Sequence, residues 1–326
     1  MQPAKIEISA RTIIFIVFFL LFLKFLWMIQ DLLFSLFIAF IIVSALKPAV
    51  SFLEVKKFPR LLAVILVYFL FLGFIIILLS NIFPPLIKES TNLARSLPDI
   101  FESAAPQLSK MTNIESLAQF IPNITNRFFD LVKNIFSNTL FVISTLFFGF
   151  YLLLEENMIQ KTLLKFLPEK QVGFIGRLIE KAEKRMSSWF WGEFALMFTV
   201  GTMNFIGLSL IGIKYALPLA VLAGLLEAVP NLGPTIAAVP AFLIGFSQSM
   251  FLGIAAIALA TVIQQLENNL IVPMIMRKAV GLHPITTLIS LIIGGKVAGV
   301  LGVLLAVPTT LLIETILLEV VKEPRK

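Results

Sequence analysis

Cysteine is absent from the 326 residues, and histidine occurs once. The first absence excludes a disulfide framework and a thiolate metal site. The second leaves too few imidazoles for a zinc centre. Charge is scarce as well: 14% of the residues are charged, against about 25% in an average soluble domain. Alternating strand-like segments of about ten residues, the mark of a membrane barrel, are missing. No nucleophile–histidine–acid set or metal cluster can be assembled. Gly295-Lys296 is followed by Val297 and lacks the upstream glycine of a phosphate-binding loop. The chain therefore reads as a non-enzyme without cofactor or metal.

What is present is apolar. Hydrophobic residues make up 59% of the chain, 32 of them Phe, and several runs approach the ~20 residues needed to cross a bilayer. The fold expected is all-α: a polytopic integral membrane protein of about eight transmembrane helices. The net charge of +7 could point to nucleic acid in a soluble protein. Here the positive residues fall mainly in short loops between apolar runs, as the positive-inside rule places them, so no nucleic-acid partner is expected. The predicted partner is membrane lipid.

The chain divides by composition. Residues 1–83 hold three spans, the second over 32–46. The loop that follows carries Lys47, Lys56, Lys57 and Arg60 against Glu54 alone, which puts that loop and, two spans before it, the N-terminus on the cytoplasmic side, where the basic tail KEPRK places the other end as well. Residues 84–135 read as an outer amphipathic segment split by prolines. A fourth span occupies 136–154. The charged stretch 155–193 reads as a cytoplasmic helix ending in the aromatic run Trp189-Phe190-Trp191. Residues 194–321 form the expected transport core, and 322–326 a basic tail.

Within that core, polar groups interrupt sequence apolar enough for lipid. Such groups are tolerated only where protein or a water-filled cavity shields them. Glu227 stands one turn before Pro230-Asn231-Leu232-Gly233-Pro234, a sequence that breaks a helix. Only about twelve residues separate Pro218 from that break. A re-entrant hairpin and a pair of short tilted spans both fit so short an arm. Gln264, Gln265, Glu267, Asn268 and Asn269 crowd six positions, with Gln264, Glu267 and Asn268 on one helical face. They either line a polar path or hydrogen-bond neighbouring helices. His283 is read as a helix-entry residue or a proton carrier. Lys296 is a candidate partner for Glu227. Gly281, Pro284, Gly294, Gly295, Gly299 and Pro308 mark hinges of a second broken segment. Broken segments of this kind expose backbone groups to ions or solutes at membrane depth.

The blocks LLEAVPNLGP, QQLENNLIVPMIM, GLHPITTLISLIIGG and GVLGVLLAVP, in this order over roughly 95 residues, resemble the autoinducer-2 exporter family of permeases. The resemblance implies a helical membrane domain of about eight crossings with cytoplasmic ends in the inner membrane. It implies a ring-shaped homo-oligomer, a pentamer. It carries family blocks onto Pro230, Gly233 and Pro234, onto Gln264, Glu267 and Asn269, and onto Gly281, Leu282, His283 and Pro284. The function implied is export of a small polar solute such as a hydroxyl-rich quorum signal. Exchange of Na⁺ or Li⁺ for H⁺ is the alternative, and a membrane scaffold without a solute path is a third.

Overall fold

A computed structural model describes residues 10–77, 138–155, 158–230, 232–276 and 282–322, with isolated positions at 80, 84, 88 and 95. Among the described residues there are helices and no strand. The all-α, multi-pass reading therefore holds. Among the described residues, six helices are long and apolar enough to cross a membrane, and three shorter apolar ones accompany them. The outer amphipathic segment expected at 84–135 lies almost wholly outside the described residues.

Helix α1 (Ala10–Met28) is apolar apart from Arg11, Thr12 and Lys24, and none of its 18-residue membrane window is buried in the fold. Ile29 interrupts the helix, and α2 (Gln30–Val55) resumes with Asp31 in its first turn, where a negative charge suits the helix dipole. The second span thus runs well past the expected 46. It passes through Pro48 and takes in Lys47, and the predicted loop shrinks to a tight turn. Lys57 adopts a left-handed φ of 67°, and the backbone N–H groups of Lys56 and Lys57 close α2 on the carbonyls of Leu53 and Glu54.

The next helix, α3 (Arg60–Ile77), returns alongside α2. With α4 (Thr139–Leu154) it packs a core of Val43, Leu46, Val50, Val64, Val67, Tyr68 and Leu153. Arg60 locks this unit. Its guanidinium donates to the carbonyls of Leu154 at 2.8 Å and Leu153 at 2.9 Å, and reaches Glu54 at 3.2 Å. It thereby satisfies two carbonyls that the end of α4 would leave open. Charge-assisted bonds of this kind contribute about 1.5–3 kcal/mol. Arg60→Ala is expected to lower the thermal unfolding midpoint in detergent by several degrees. An unchanged midpoint would show that the cap carries no stability.

A short α5 (Met158–Leu163) precedes α6 (Glu169–Leu210), a single helix of 42 residues. At 1.5 Å per residue α6 is ~63 Å long, about twice the hydrocarbon thickness. No break separates the charged stretch from the span expected to follow it. The charged half of α6 is tied to both ends of the chain. Lys47 of α2 pairs with Glu183 at 2.7 Å, and the Trp191 indole N–H donates to the Ala45 carbonyl at 3.1 Å. Lys181 pairs with Glu319 at 2.6 Å, and Arg185 pairs with Glu314 and donates to Thr315 at 3.0 Å.

The apolar half of α6 packs against α7 (Ala216–Leu226) and α9 (Met250–Leu266), and α8 (Leu232–Gln248) packs against those two. Lipid gives little hydrophobic drive between helices, so close backbone approach does much of the packing. A Cβ on Gly224 would lie 2.7 Å from the Met197 carbonyl oxygen, and one on Gly245 would lie 2.7 Å from that of Leu252. These glycines set the α6–α7 and α8–α9 seams. At ~16 Å and ~26 Å by helical rise, α7 and α8 are both shorter than the hydrocarbon core.

A π-helical turn (Glu267–Ile271) and α10 (Val272–Met276) extend α9. The last element, α11 (Pro284–Lys322), is folded back on itself. Its backbone breaks at Ala298 and Gly299, the latter at φ 58°. Gly294 and Gly302 meet so closely that a Cβ on either would collide with the other's carbonyl oxygen. The sequence placed a break from Gly294 to Gly299. The structure turns at 298–299 and uses Gly294 as a contact surface, because only glycine lets two backbones approach so nearly.

Candidate functional site

Three buried carboxyl side chains meet where α6, α7 and α9 converge. They are Glu193, Glu227 and Glu267, at 7%, 1% and 2% exposure. Each arrives by a different local device. Glu193 lies on the buried stripe of α6 with Leu196 and Val200. Glu227 is the capping residue at the end of α7. The chain then breaks through Ala228, Val229 and Pro230 before α8 begins. Gly233 permits that break, since its α-carbon packs directly on the Leu226 carbonyl group.

Glu267 opens the π turn, whose carbonyl accepts from the Val272 N–H. Such turns widen a helix by one residue and recur at functional sites. Here the turn buries Glu267 while Gln265, Asn268 and Asn269 stay exposed and Gln264 is half-buried. The five polar residues are therefore split between faces.

The α6–α7 seam explains why Glu193 meets Glu227. Gly201 faces Ala220, and Met197 faces Gly224. Continuing that antiparallel register by one turn brings Glu193 opposite the end of α7. Glu227 interacts electrostatically with both other carboxyls, and Glu193 also with Glu267. Glu227 and Glu267 share a side-chain hydrogen bond. A bond between two carboxyl groups uses a proton, because an ionised carboxylate only accepts.

One oxygen on each residue has no hydrogen-bond partner: Glu193 Oε1, Glu227 Oε2 and Glu267 Oε2. Among the described residues, none of the ion pairs involves these three. Buried charge without a partner costs several kcal/mol. The cluster therefore needs protons, water or a bound cation to complete it.

The remaining predicted residues lie elsewhere. Lys296 does not pair with Glu227. It is exposed beside the break in α11, while Glu227 is enclosed by α6 and the π turn. His283 is exposed, and its Nδ1 accepts from the Ile285 N–H at 3.3 Å, the helix-entry role rather than a place in the cluster. The Asn269 amide donates to the carbonyl and side chain of Gln265 at 2.8 and 3.0 Å. Pro230 and Pro234 border the α7–α8 break beside Gly233. Gly299 lies in the turn of α11 and Gly295 one turn before it, Pro284 opens that helix, and Pro308 is buried in its second arm. Asn231 and Gly281 lie outside the described residues.

Sequence reasoning missed Glu193. It was read as the end of a solvated charged segment. Its flanks, Trp-Phe-Trp-Gly before and Phe-Ala-Leu-Met-Phe after, are as apolar as those that singled out Glu227. The same criterion would have found it.

A family model described as AI-2E family transporter matches residues 13–322. "Putative transport protein YueF" of Bacillus subtilis is 30% identical over 319 residues, covering 90% of this chain and 85% of that protein. "Putative transport protein YrrI" of the same organism is 24% identical, covering 90% and 88%. "Putative permease PerM" of Escherichia coli K12 is 27% identical over 173 residues, about half of each chain.

Proposed function

Because this chain belongs to the AI-2E transporter family, we propose that it is a secondary transporter moving a small polar solute across the cytoplasmic membrane. The carboxyl cluster is where cargo or a coupling ion resides. One observation carries the reading: three buried acidic side chains with unsatisfied oxygens, gathered beside the α7–α8 break and a π turn. Buried ionisable groups at membrane depth mark solute and ion pathways. The positive loop between α2 and α3 supports cytoplasmic termini. Export of an autoinducer-2-like compound is the starting point for substrate search, and a homo-oligomeric ring is the assembly to test.

The test is flux into proteoliposomes holding the purified chain, screened over hydroxyl-rich and amine-bearing metabolites with and without Na⁺ and pH gradients. At least one solute is expected to enter about tenfold faster than into protein-free vesicles, a barrier difference of about 1.4 kcal/mol. No flux of any solute or ion, with a stable protein partner on capture, would replace the transporter by a scaffold.

A second reading is Na⁺(Li⁺)/H⁺ exchange. It is favoured by the hydrogen bond between Glu227 and Glu267, which places a proton where an incoming cation could displace it. Adding Na⁺ outside the vesicles is then expected to change internal pH. A flat pH trace with solute uptake retained would remove this reading.

A further inference from the structure

The turn between α2 and α3 joins two helices of membrane length, so it lies where the chain leaves the bilayer. A six-residue capping motif closes α2 there. The Phe58 N–H donates to the Leu53 carbonyl at 3.2 Å, and the Lys57 N–H to that of Glu54 at 2.8 Å. This motif needs a left-handed residue just past the cap, and glycine is its usual occupant. Here Lys57 takes the position, at φ 67°. A side chain kept in a conformation that glycine adopts more readily points to a use for that side chain.

Lys56 is aimed as well. Its Nζ lies 4.4 Å from the centre of the Phe52 ring, one turn back along α2 toward the bilayer. Phe52 is exposed, as are Val55, at 85%, and Phe58, Leu61 and Leu62. A band of exposed hydrocarbon thus lies within about one helical turn, ~5.4 Å, of the two lysine positions. The acids nearby are engaged elsewhere. Glu54 pairs with Arg60 at 3.2 Å, and Glu155, which follows α4, pairs with Lys161 at 3.5 Å. Among the described residues, no carboxylate pairs with Lys56 or Lys57.

We propose that this turn is a binding site for one anionic phospholipid, with Lys56 and Lys57 on its phosphate group and Phe52, Val55 and Phe58 against its acyl chains. The inference goes beyond the transport reading and does not depend on it.

Both parts of a lipid find a match. An ammonium group has three donors and no acceptor, and the Phe52 ring covers Lys56 from one side, which leaves N–H donors for phosphate oxygens. A zwitterionic headgroup brings a cation of its own. That cation would need an acceptor, and the carboxylate of the turn is held by Arg60. Net charge therefore selects an anionic headgroup, the kind that basic residues at a membrane surface attract. A free phosphate ester would meet the lysines but leave the apolar band uncovered.

The test is native mass spectrometry of the full chain in non-ionic detergent, titrated with dioleoyl phosphatidylglycerol. Dioleoyl phosphatidylcholine and glycerol 3-phosphate serve as the zwitterionic and head-only controls. Wild type is expected to bind phosphatidylglycerol at least about tenfold more tightly than either control. Lys57→Gly is expected to weaken that binding about fivefold. Its unfolding midpoint should equal or exceed that of wild type, because glycine suits the left-handed position. Lys56→Gln should show a similar loss of affinity. Lys170→Gln, at an exposed site in the first turn of α6, should bind as wild type does.

Equal affinity for the two lipids would overturn the proposal. So would glycerol 3-phosphate binding as tightly as phosphatidylglycerol, since the site would then serve a free anion. Unchanged affinity in both turn variants, or an equal loss in Lys170→Gln, would reduce the effect to bulk charge and overturn it too. A chain that binds the lipid yet moves no solute keeps this site and loses transport. The reverse result keeps transport and loses the site.

Discussion

Glu227→Gln is expected to reduce solute or ion flux in proteoliposomes at least about tenfold while leaving the protein folded. A glutamine occupies nearly the same volume and can still hydrogen-bond to Glu267. It cannot release a proton or carry the charge that a cation would meet. Glu227 is enclosed, hydrogen-bonded to one carboxyl and adjacent to another, so removing its acid function alters the whole cluster. The thermal unfolding midpoint should stay within a few degrees of wild type or rise, because a buried acidic group is replaced by a neutral one. Glu267→Gln should give a loss of similar size. The double variant should be little worse than either, as expected of residues acting as one unit. Full flux in both single variants would remove the cluster from the pathway.

Gly233→Ala is expected to be the most disruptive single methyl that can be added near the site. The new Cβ would lie 1.9 Å from the Leu226 carbonyl oxygen, 2.4 Å from its carbon and 3.0 Å from the Glu227 nitrogen. These are backbone atoms and have no rotamer by which to retreat. The α7–α8 break would have to open, and Glu227 sits within it. A destabilisation above about 4 kcal/mol is expected, in the range reserved for such clashes. The readout is loss of the monodisperse peak in detergent, or an unfolding midpoint lower by about ten degrees or more. Gly73→Ala is the matched control. Nothing lies within 4 Å of its added Cβ, and alanine favours a helix over glycine, so its midpoint should not fall. A Gly233→Ala protein as stable as wild type would mean that the break is looser than its geometry implies.

Much of this architecture was legible in the sequence, because apolar runs and polar interruptions report directly on lipid. The pattern identified a helical membrane protein. It also singled out Glu227 and Glu267, the only acidic residues among the polar groups named in the core. What it missed has physical causes. The second span, expected to end at 46, runs on through Lys47 and Pro48 to Val55, because the charges of the loop were read as a boundary that the helix does not observe. The charge-rich stretch before Glu193 suggested a boundary that the continuous α6 does not have. That hid a third carboxyl in an apolar setting. A regular helical wheel put Gln264, Glu267 and Asn268 on one face. The π turn beginning at Glu267 adds a residue to the winding and moves Asn268 to the exposed side. Lys296 was matched to Glu227 by charge alone. The backward fold of α11 depends on Gly294 meeting Gly302, a contact between residues eight apart that composition does not reveal.

The unusual length of α6 carries a mechanical consequence. From the Gly201–Gly224 crossing to Glu169 is ~48 Å of uninterrupted helix by helical rise. If that crossing acts as a fulcrum, a tilt of ~5° displaces the far end by ~4 Å over that arm. Lys181 and Arg185 grip the final turns of α11 and Glu183 grips α2, ~24–30 Å along that arm, where the same tilt amounts to ~2–3 Å. A small rocking beside the buried acids thus becomes a stroke at the opposite tip, in the manner of an oar in its rowlock.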